Sequence, residues 1–290
     1  MQRRTLLASL AACASSAPAA RAAAGVVKTR DNQRLAYIDR GAGKPVVFIH
    51  GWSLGSAIWT LQTDWLVAQR LRVIAYDRRG HAASDKPADG YDFDTLAADL
   101  ATVLEQLELR DVTLVGHSMG AGEVARYLAR HGSQRVARTM LVAPTTPFAL
   151  KTSDNPEGID RTLYDKAVAA LEANPQAYLA AGAPGFFGRN AEPEMVEWGL
   201  SIARQASVPA LVKCLRAFSE TDFRSDMHAF AMPTLIVYGT GDVPSTAKNA
   251  ARTAEAIAGS RVEPYEGAPH GLFLTDPERF NRDLLGFVRS

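Results

Sequence analysis

The sequence predicts an α/β fold: a mostly parallel sheet with helices on both faces and a helical cap inserted into it. Two observations carry this. From Val26 onward, short apolar runs of strand length alternate with amphipathic helical stretches. Between Pro144 and Met232 the strand signal disappears, while helical stretches separated by prolines continue. The chain has 290 residues, 47% of them hydrophobic and 22% charged, enough for a sizeable core without disulfides or metals.

The elements follow in order. Residues 34–39 read as a strand after the Asp31-Asn32 turn, and residues 46–49 as a buried parallel strand leading into His50-Gly51. Residues 59–69 suit a helix, and residues 73–76 a strand that ends at Asp77. Leu96, Leu100, Val103, Leu104 and Leu107 share one face of a helix over residues 94–107. A strand over 112–115 is followed by a helix with Ala121, Val124, Ala125 and Leu128 on its buried stripe, ending near His131-Gly132. Strands are expected at 136–142, 235–238 and 262–265, with helices around 247–258 and 277–288. The expected cap spans about 145–231 and holds Pro147, Pro156, Pro175, Pro184, Pro193 and Pro209.

The first 24 residues read as an export leader, and residues 25–290 as the folded domain. Arg3 and Arg4 precede a short apolar run, too short to span a bilayer, and small residues follow near Ala22-Ala23-Ala24. Arg3-Arg4-Thr5-Leu6-Leu7 resembles a twin-arginine signal. Leu10-Ala11-Ala12-Cys13 resembles a lipobox, so a lipid anchor on Cys13 is the alternative to a soluble periplasmic or secreted protein. Of 32 basic residues, three lie in these 24, which hold no acid; the remainder, 29 against 31 acidic residues, nets −2. Nothing in that balance favours a nucleic acid or an acidic substrate. Cys214 is the one thiol outside the leader and reads as a packing residue. The six histidines are dispersed, no metal-ligand spacing occurs, and no phosphate-binding glycine loop occurs, so neither metal nor cofactor is expected.

Gly116-His117-Ser118-Met119-Gly120 fits G-x-S-x-G between an apolar strand and a helix, the context in which a serine nucleophile is lifted from a sharp turn. A serine hydroxyl needs a base to become an effective nucleophile. In this strand-turn-helix arrangement the acid and then the base follow the serine in the chain. Asp242 follows one later strand and His270 the next, so Ser118, Asp242 and His270 form the expected triad. Asp276 is the rival acid, but it precedes Pro277 and reads as a helix cap. His81, His131 and His228 read as surface or packing residues. The backbone N–H groups of Trp52 and Met119 are the expected oxyanion donors. Asp77-Arg78-Arg79-Gly80-His81 reads as a loop organised by charge pairing. Trp52, Phe186, Phe187 and Trp198 are candidate walls of a substrate pocket.

These residues resemble a known family, the cofactor-free bacterial haloperoxidases and arylesterases of the α/β-hydrolase fold. The resemblance rests on His50-Gly51-Trp52, Tyr76-Asp77-Arg78-Arg79-Gly80-His81, Gly116-His117-Ser118-Met119-Gly120 and Gly122-Glu123-Val124-Ala125-Arg126-Tyr127. Lys151-Thr152, Asn155-Pro156, the run from Ala217 to Phe223, and Gly267-Ala268-Pro269-His270-Gly271-Leu272 extend it from about Val26 to the C-terminus. It implies an α/β-hydrolase fold and a metal-free esterase, with a small-molecule ester as partner. In some relatives the acyl-enzyme reacts with peroxide instead of water. Ser53 stands where haloperoxidase-active relatives often carry proline, and the loop after Asp242 is about two residues shorter than usual, so hydrolysis is the expected balance. A haloperoxidase-like perhydrolase is the alternative enzyme, and a ligand-binding receptor that retains the triad is the alternative outside enzymes.

Overall fold

In the computed structural model, which describes residues 21–290, three strands come first: β1 (Arg21–Lys28), β2 (Arg34–Gly41) and β3 (Pro45–Ile49). A 3-10 turn (Ser56–Trp59) leads into α1 (Thr60–Ala68), then β4 (Arg72–Tyr76), α2 (Phe93–Gln106), β5 (Val112–His117), α3 (Met119–His131) and β6 (Val136–Val142). Four helices follow: α4 (Arg161–Ala173), α5 (Pro175–Phe187), α6 (Pro193–Ala203) and α7 (Val208–Glu220). The sheet resumes with β7 (Thr234–Gly239), α8 (Pro244–Ala256), β8 (Arg261–Tyr265), α9 (Leu272–Thr275) and α10 (Pro277–Arg289).

The strands form one eight-stranded sheet in the order β1-β2-β4-β3-β5-β6-β7-β8. The pairings of β1 with β2 and of β2 with β4 are antiparallel; every later pairing is parallel. β1 carries no hydrophobic alternation in its Arg21–Ala24 half, which is why sequence patterning does not reveal it. Those four residues fall inside the expected leader and pair with Gly41 to Ile38. The rest of the leader, with Cys13, lies outside the described residues. Among the described residues, no helix is long and apolar enough to cross a membrane.

The central strands are apolar at consecutive positions because both faces are covered. Side chains on a strand alternate between faces. Val46 and Phe48 therefore enter one core cluster, with Leu66 of α1, Leu284 of α10 and the cap. Val47 and Ile49 enter the other, with the leucines of α2 and Val124 of α3. Several prolines that interrupt the sequence pattern turn out to begin helices. Pro175, Pro193 and Pro209 stand in the first turns of α5, α6 and α7, where a missing N–H costs nothing. Asn174 and Ser207 cap two of these helices by accepting from Ala177 N and Ala210 N.

Trp59 joins the sheet to the C-terminal loops. It is fully buried and stacks on Phe48 of β3 at 4.6 Å and on Phe273 of α9 at 4.2 Å. Truncation there leaves a cavity in a close-packed region. Trp59→Ala is expected to cost about 3–5 kcal/mol, read as a lower urea midpoint with an unchanged m-value; a shift equivalent to under about 1 kcal/mol would mean that the core closes around the gap.

Candidate active site

The turn between β5 and α3 explains the glycines of Gly116-His117-Ser118-Met119-Gly120. Ser118 sits at φ 54°, ψ −116°, a strained backbone for a residue with a side chain. A Cβ on Gly120 would lie 2.6 Å from the Ile49 carbonyl oxygen, and one on Gly116 2.6 Å from the Gly120 oxygen. The strand, the helix and β3 meet backbone against backbone there, and only glycine fits.

A second close crossing positions the acid and the base. Asp242 lies after β7 and His270 after β8. A Cβ on Gly239 would lie 2.0 Å from the Ala268 oxygen, and one on Gly241 2.5 Å from the Gly267 oxygen. The two loops therefore run in contact, held by Gly241 N donating to Ala268 O at 3.0 Å. His270 Nδ1 lies 2.5 Å from Asp242 Oδ2, while Val243 N donates to the other carboxylate oxygen at 2.6 Å. An ionised Asp242 accepts from both, so the proton between it and His270 sits on Nδ1 and leaves Nε2 as the basic nitrogen. The cap holds the same loop: Gly271 N donates to Phe186 O at 2.8 Å. His117 contributes too, with Nε2 at 3.3 Å from the His270 carbonyl oxygen and its ring 4.8 Å from that of His270. Burial keeps His117 neutral, pushing it well below the usual imidazole range. Asp276 is in a different place, capping α10 by accepting from Arg279 N.

Ser118, His270 and Asp242 all line one cavity of about 370 Å³ between the sheet and the cap. Trp52, Phe186 and Phe187 line it as well, and Trp52 Nε1 is anchored on Leu211 O of α7 at 2.9 Å. Trp198 is not among its walls; it packs against the core beside α6's inward face, which presents Gly199, Leu200 and Ala203 instead. Gly199 is small because Phe187 occupies the space, 2.2 Å from where its Cβ would be. Sequence reasoning missed Tyr164, Tyr178, Thr246 and Asn249, which also line the cavity. The last two stand three residues apart on α8, the helix directly after Asp242, and that spacing was a usable signal.

The backbone N–H groups of Trp52 and Met119 have no hydrogen-bond partner among the described residues. Ser53, next to Trp52, has φ 64°. Proline is confined to φ near about −65°, so this loop conformation is closed to proline at position 53.

Beneath this loop lies a buried polar cluster. Arg78 Nε donates to Glu123 Oε2 at 2.8 Å, Arg78 Nη2 to His50 O at 2.8 Å, and the Tyr76 hydroxyl to the other Glu123 oxygen. Burial pushes the Glu123 carboxyl up, yet both oxygens accept from donors and the guanidinium opposes that rise. Arg78 is pulled down to about 10 by burial and stays charged at neutral pH. Arg78 N donates to His50 Nε2 at 3.0 Å, which places the His50 proton on Nδ1, facing Gly51 O at 2.8 Å. Arg79 pairs separately with Asp99 and Asp31. The charge-pairing role expected for this loop is what the geometry contains. Of the other histidines, His81 is fully buried, His131 stacks on Tyr127, and His228 is exposed. Among the described residues, no cluster of three or more His, Cys, Asp or Glu is arranged to hold a metal ion.

Comparison with known proteins shows the family of the chain. Residues 44–277 match the family model described as the alpha/beta hydrolase fold. The chain is 42% identical over 275 residues to a non-heme chloroperoxidase of Streptomyces lividans, covering 92% of this chain and all of that protein. It is 36% identical to a bifunctional esterase/perhydrolase of Acinetobacter calcoaceticus, again over 92% of this chain and 100% of the relative. A bromoperoxidase structure from Bacillus anthracis superposes with a TM-score of 0.89 at 39% identity, covering 92% of this chain and 100% of the other.

His81 sets an acid limit. Burial and the nearby Arg78 push it from 6.5 down to about 3, while its Nδ1 faces Arg79 O at 2.9 Å. Between those two pH values the unfolded chain binds a proton that the folded chain refuses, so stability falls as pH drops below about 6.5. His50 and His117, lowered for the same reason, act in the same direction. The urea midpoint is expected to decline between pH 7 and pH 4.5 (about the unfolded imidazole range) and to decline less steeply in His81→Asn. Equal slopes in both proteins would remove His81 as a cause.

Proposed function

This chain belongs to the α/β-hydrolase family, in its non-heme haloperoxidase group, and on that premise we propose that it is a serine hydrolase cleaving small esters through an acyl-enzyme on Ser118. The observation that carries the proposal is the 2.5 Å contact of His270 Nδ1 with Asp242 Oδ2, in a cavity that Ser118 also lines from its strained turn.

In this mechanism His270 Nε2 takes the Ser118 proton as Oγ attacks the ester carbonyl. The C–O double bond becomes a single bond to an anionic oxygen, which accepts from the Trp52 and Met119 N–H groups; their lack of other partners supports this role. Collapse expels the alcohol, protonated by His270. Water, deprotonated by the same nitrogen, then releases the acid and restores Ser118. Asp242 holds the tautomer and stabilises the imidazolium. The mostly apolar cavity supports a small uncharged ester as substrate. Export of the chain, by the twin-arginine route or with a lipid on Cys13, belongs to the same proposal. Cleavage after Ala24 would leave β1 only its Gly25 to Lys28 pairings.

A second reading has peroxide replace water at the acyl-enzyme, giving a peracid. A relative named an esterase/perhydrolase supports it. Ser53, in a conformation closed to proline, supports hydrolysis as the main outcome. With one p-nitrophenyl ester at fixed peroxide, acid release is expected to exceed peracid formation; the opposite ratio would make perhydrolysis the primary activity.

Ser118→Ala is expected to abolish fluorophosphonate labelling and lower kcat by roughly 10³–10⁶-fold. Asp242→Asn should lower kcat strongly, whereas Asp276→Asn should cost little activity and about 1 kcal/mol of stability. Labelling retained in Ser118→Ala, or a dead Asp276→Asn, would overturn the assignment. Stoichiometric labelling of the unaltered protein with negligible turnover across an ester panel would favour a ligand-binding receptor.

A further inference from the structure

Tyr164 is a polar group without a partner in an otherwise apolar part of the cavity wall. It lies on α4 and is 8% exposed, with its ring edge-on to Phe218 of α7 at 6.4 Å. Among the described residues its hydroxyl has no hydrogen-bond partner, yet it is not one of the polar atoms sealed from solvent. Burial is the one influence on its acidity, which is pushed up to about 12, so the group is a neutral phenol at any working pH. Three other buried tyrosines are satisfied, Tyr76 by Glu123, Tyr91 by Pro87 O and Tyr265 by Asp283; Tyr127, whose hydroxyl has no partner among the described residues either, does not line the cavity and stacks on His131. Tyr178, the other phenol of the wall, is only partly buried.

A buried hydroxyl is normally paired, because leaving it unpaired forfeits the hydrogen bonds it made to water. The Tyr164 hydroxyl is open to solvent in the free protein, so the penalty falls on a ligand that displaces water from this part of the cavity without replacing the hydrogen bond. We infer that the Tyr164 hydroxyl is a specificity-determining anchor, and that the preferred substrate is an ester carrying a second hydrogen-bonding oxygen, ether, keto or hydroxyl, away from the reacting carbonyl. The inference rests on the ester-hydrolase reading and narrows its substrate class. A phenol both donates and accepts, so each of these oxygens suits it. A site built around such a contact discriminates against the all-carbon analogue, which leaves the hydroxyl unpaired.

The test uses esters in pairs: linear p-nitrophenyl esters with one methylene replaced by an ether oxygen at successive positions, each beside its all-carbon counterpart, and the same replacement along the alcohol of acetate esters. For each pair the ratio of kcat/KM, ether over alkyl, is compared between the unaltered protein and Tyr164→Phe. Intrinsic reactivity cancels in that comparison. For at least one oxygen position the ratio should fall about five- to tenfold in the variant. A uniform loss on both members of every pair would mean that Tyr164 only packs, and would overturn the proposal. If Tyr164→Phe loses fluorophosphonate labelling through misfolding, the unaltered protein decides alone. A ratio matching that of uncatalysed hydrolysis at every position then overturns the anchor, and a ratio well above it at one position supports it. Absence of both labelling and turnover in the unaltered protein would instead refute the hydrolase reading, a distinguishable result.

Discussion

The backbone crossing at Ser118 is the constraint around which the rest of the site is arranged. The serine occupies φ 54°, ψ −116°, a conformation that costs of order 1–3 kcal/mol and persists only where its surroundings over-determine it. Here the surroundings are β3, β5 and the first turn of α3, brought close enough that a methyl group at Gly116 or Gly120 would overlap a carbonyl oxygen. Ser118 N donates to Val142 O of β6 at 2.8 Å, so a third strand also holds the turn. The sheet supplies rigidity, and the turn converts it into a hydroxyl held at the mouth of the strands.

The buried charges serve the same geometry. Arg78 comes from the loop after β4, Glu123 from α3 and His50 from the loop after β3. A buried ion pair adds little net stability over apolar packing, but losing one partner leaves an uncompensated charge and is strongly destabilising. Such a cluster therefore opposes any alternative arrangement of the three segments it joins. Two of them carry the unpartnered N–H groups of Trp52 and Met119, so the relative position of these donors is tied to the cluster.

The cap acts on the site in two ways. Its α5 carbonyls accept from the His270 loop, and Leu211 of α7 accepts from the Trp52 indole, so it braces both sides of the cavity that Ser118 lines. It also supplies most of the cavity wall, including Phe186, Phe187 and Tyr164. The sheet domain thus positions Ser118, Asp242 and His270, and the inserted helices enclose the cavity they line.

The parallel strands, the helices that flank them, the inserted cap and the residues Ser118, Asp242 and His270 were legible in the sequence because each is a local pattern. Apolar runs mark buried strands, helical stripes mark faces, and G-x-S-x-G, Gly239-Thr240-Gly241-Asp242 and Gly267-Ala268-Pro269-His270 mark tight turns at strand ends. The sequence by itself therefore determined the class of fold and the set of groups available for chemistry. The tertiary structure alone decided the N-terminal antiparallel pair, because the Arg21–Ala24 half of the edge strand has no hydrophobic alternation to mark it. It alone separated Phe186 and Phe187, which face the cavity, from Trp198, which does not, because a cap helix buries one side on the core and another on the pocket and both sides are apolar. It also showed Ser53 in a left-handed conformation and Tyr164 without a partner. Backbone dihedrals and unpaired atoms depend on what packs against a residue, and that is not written in the residue's neighbours along the chain.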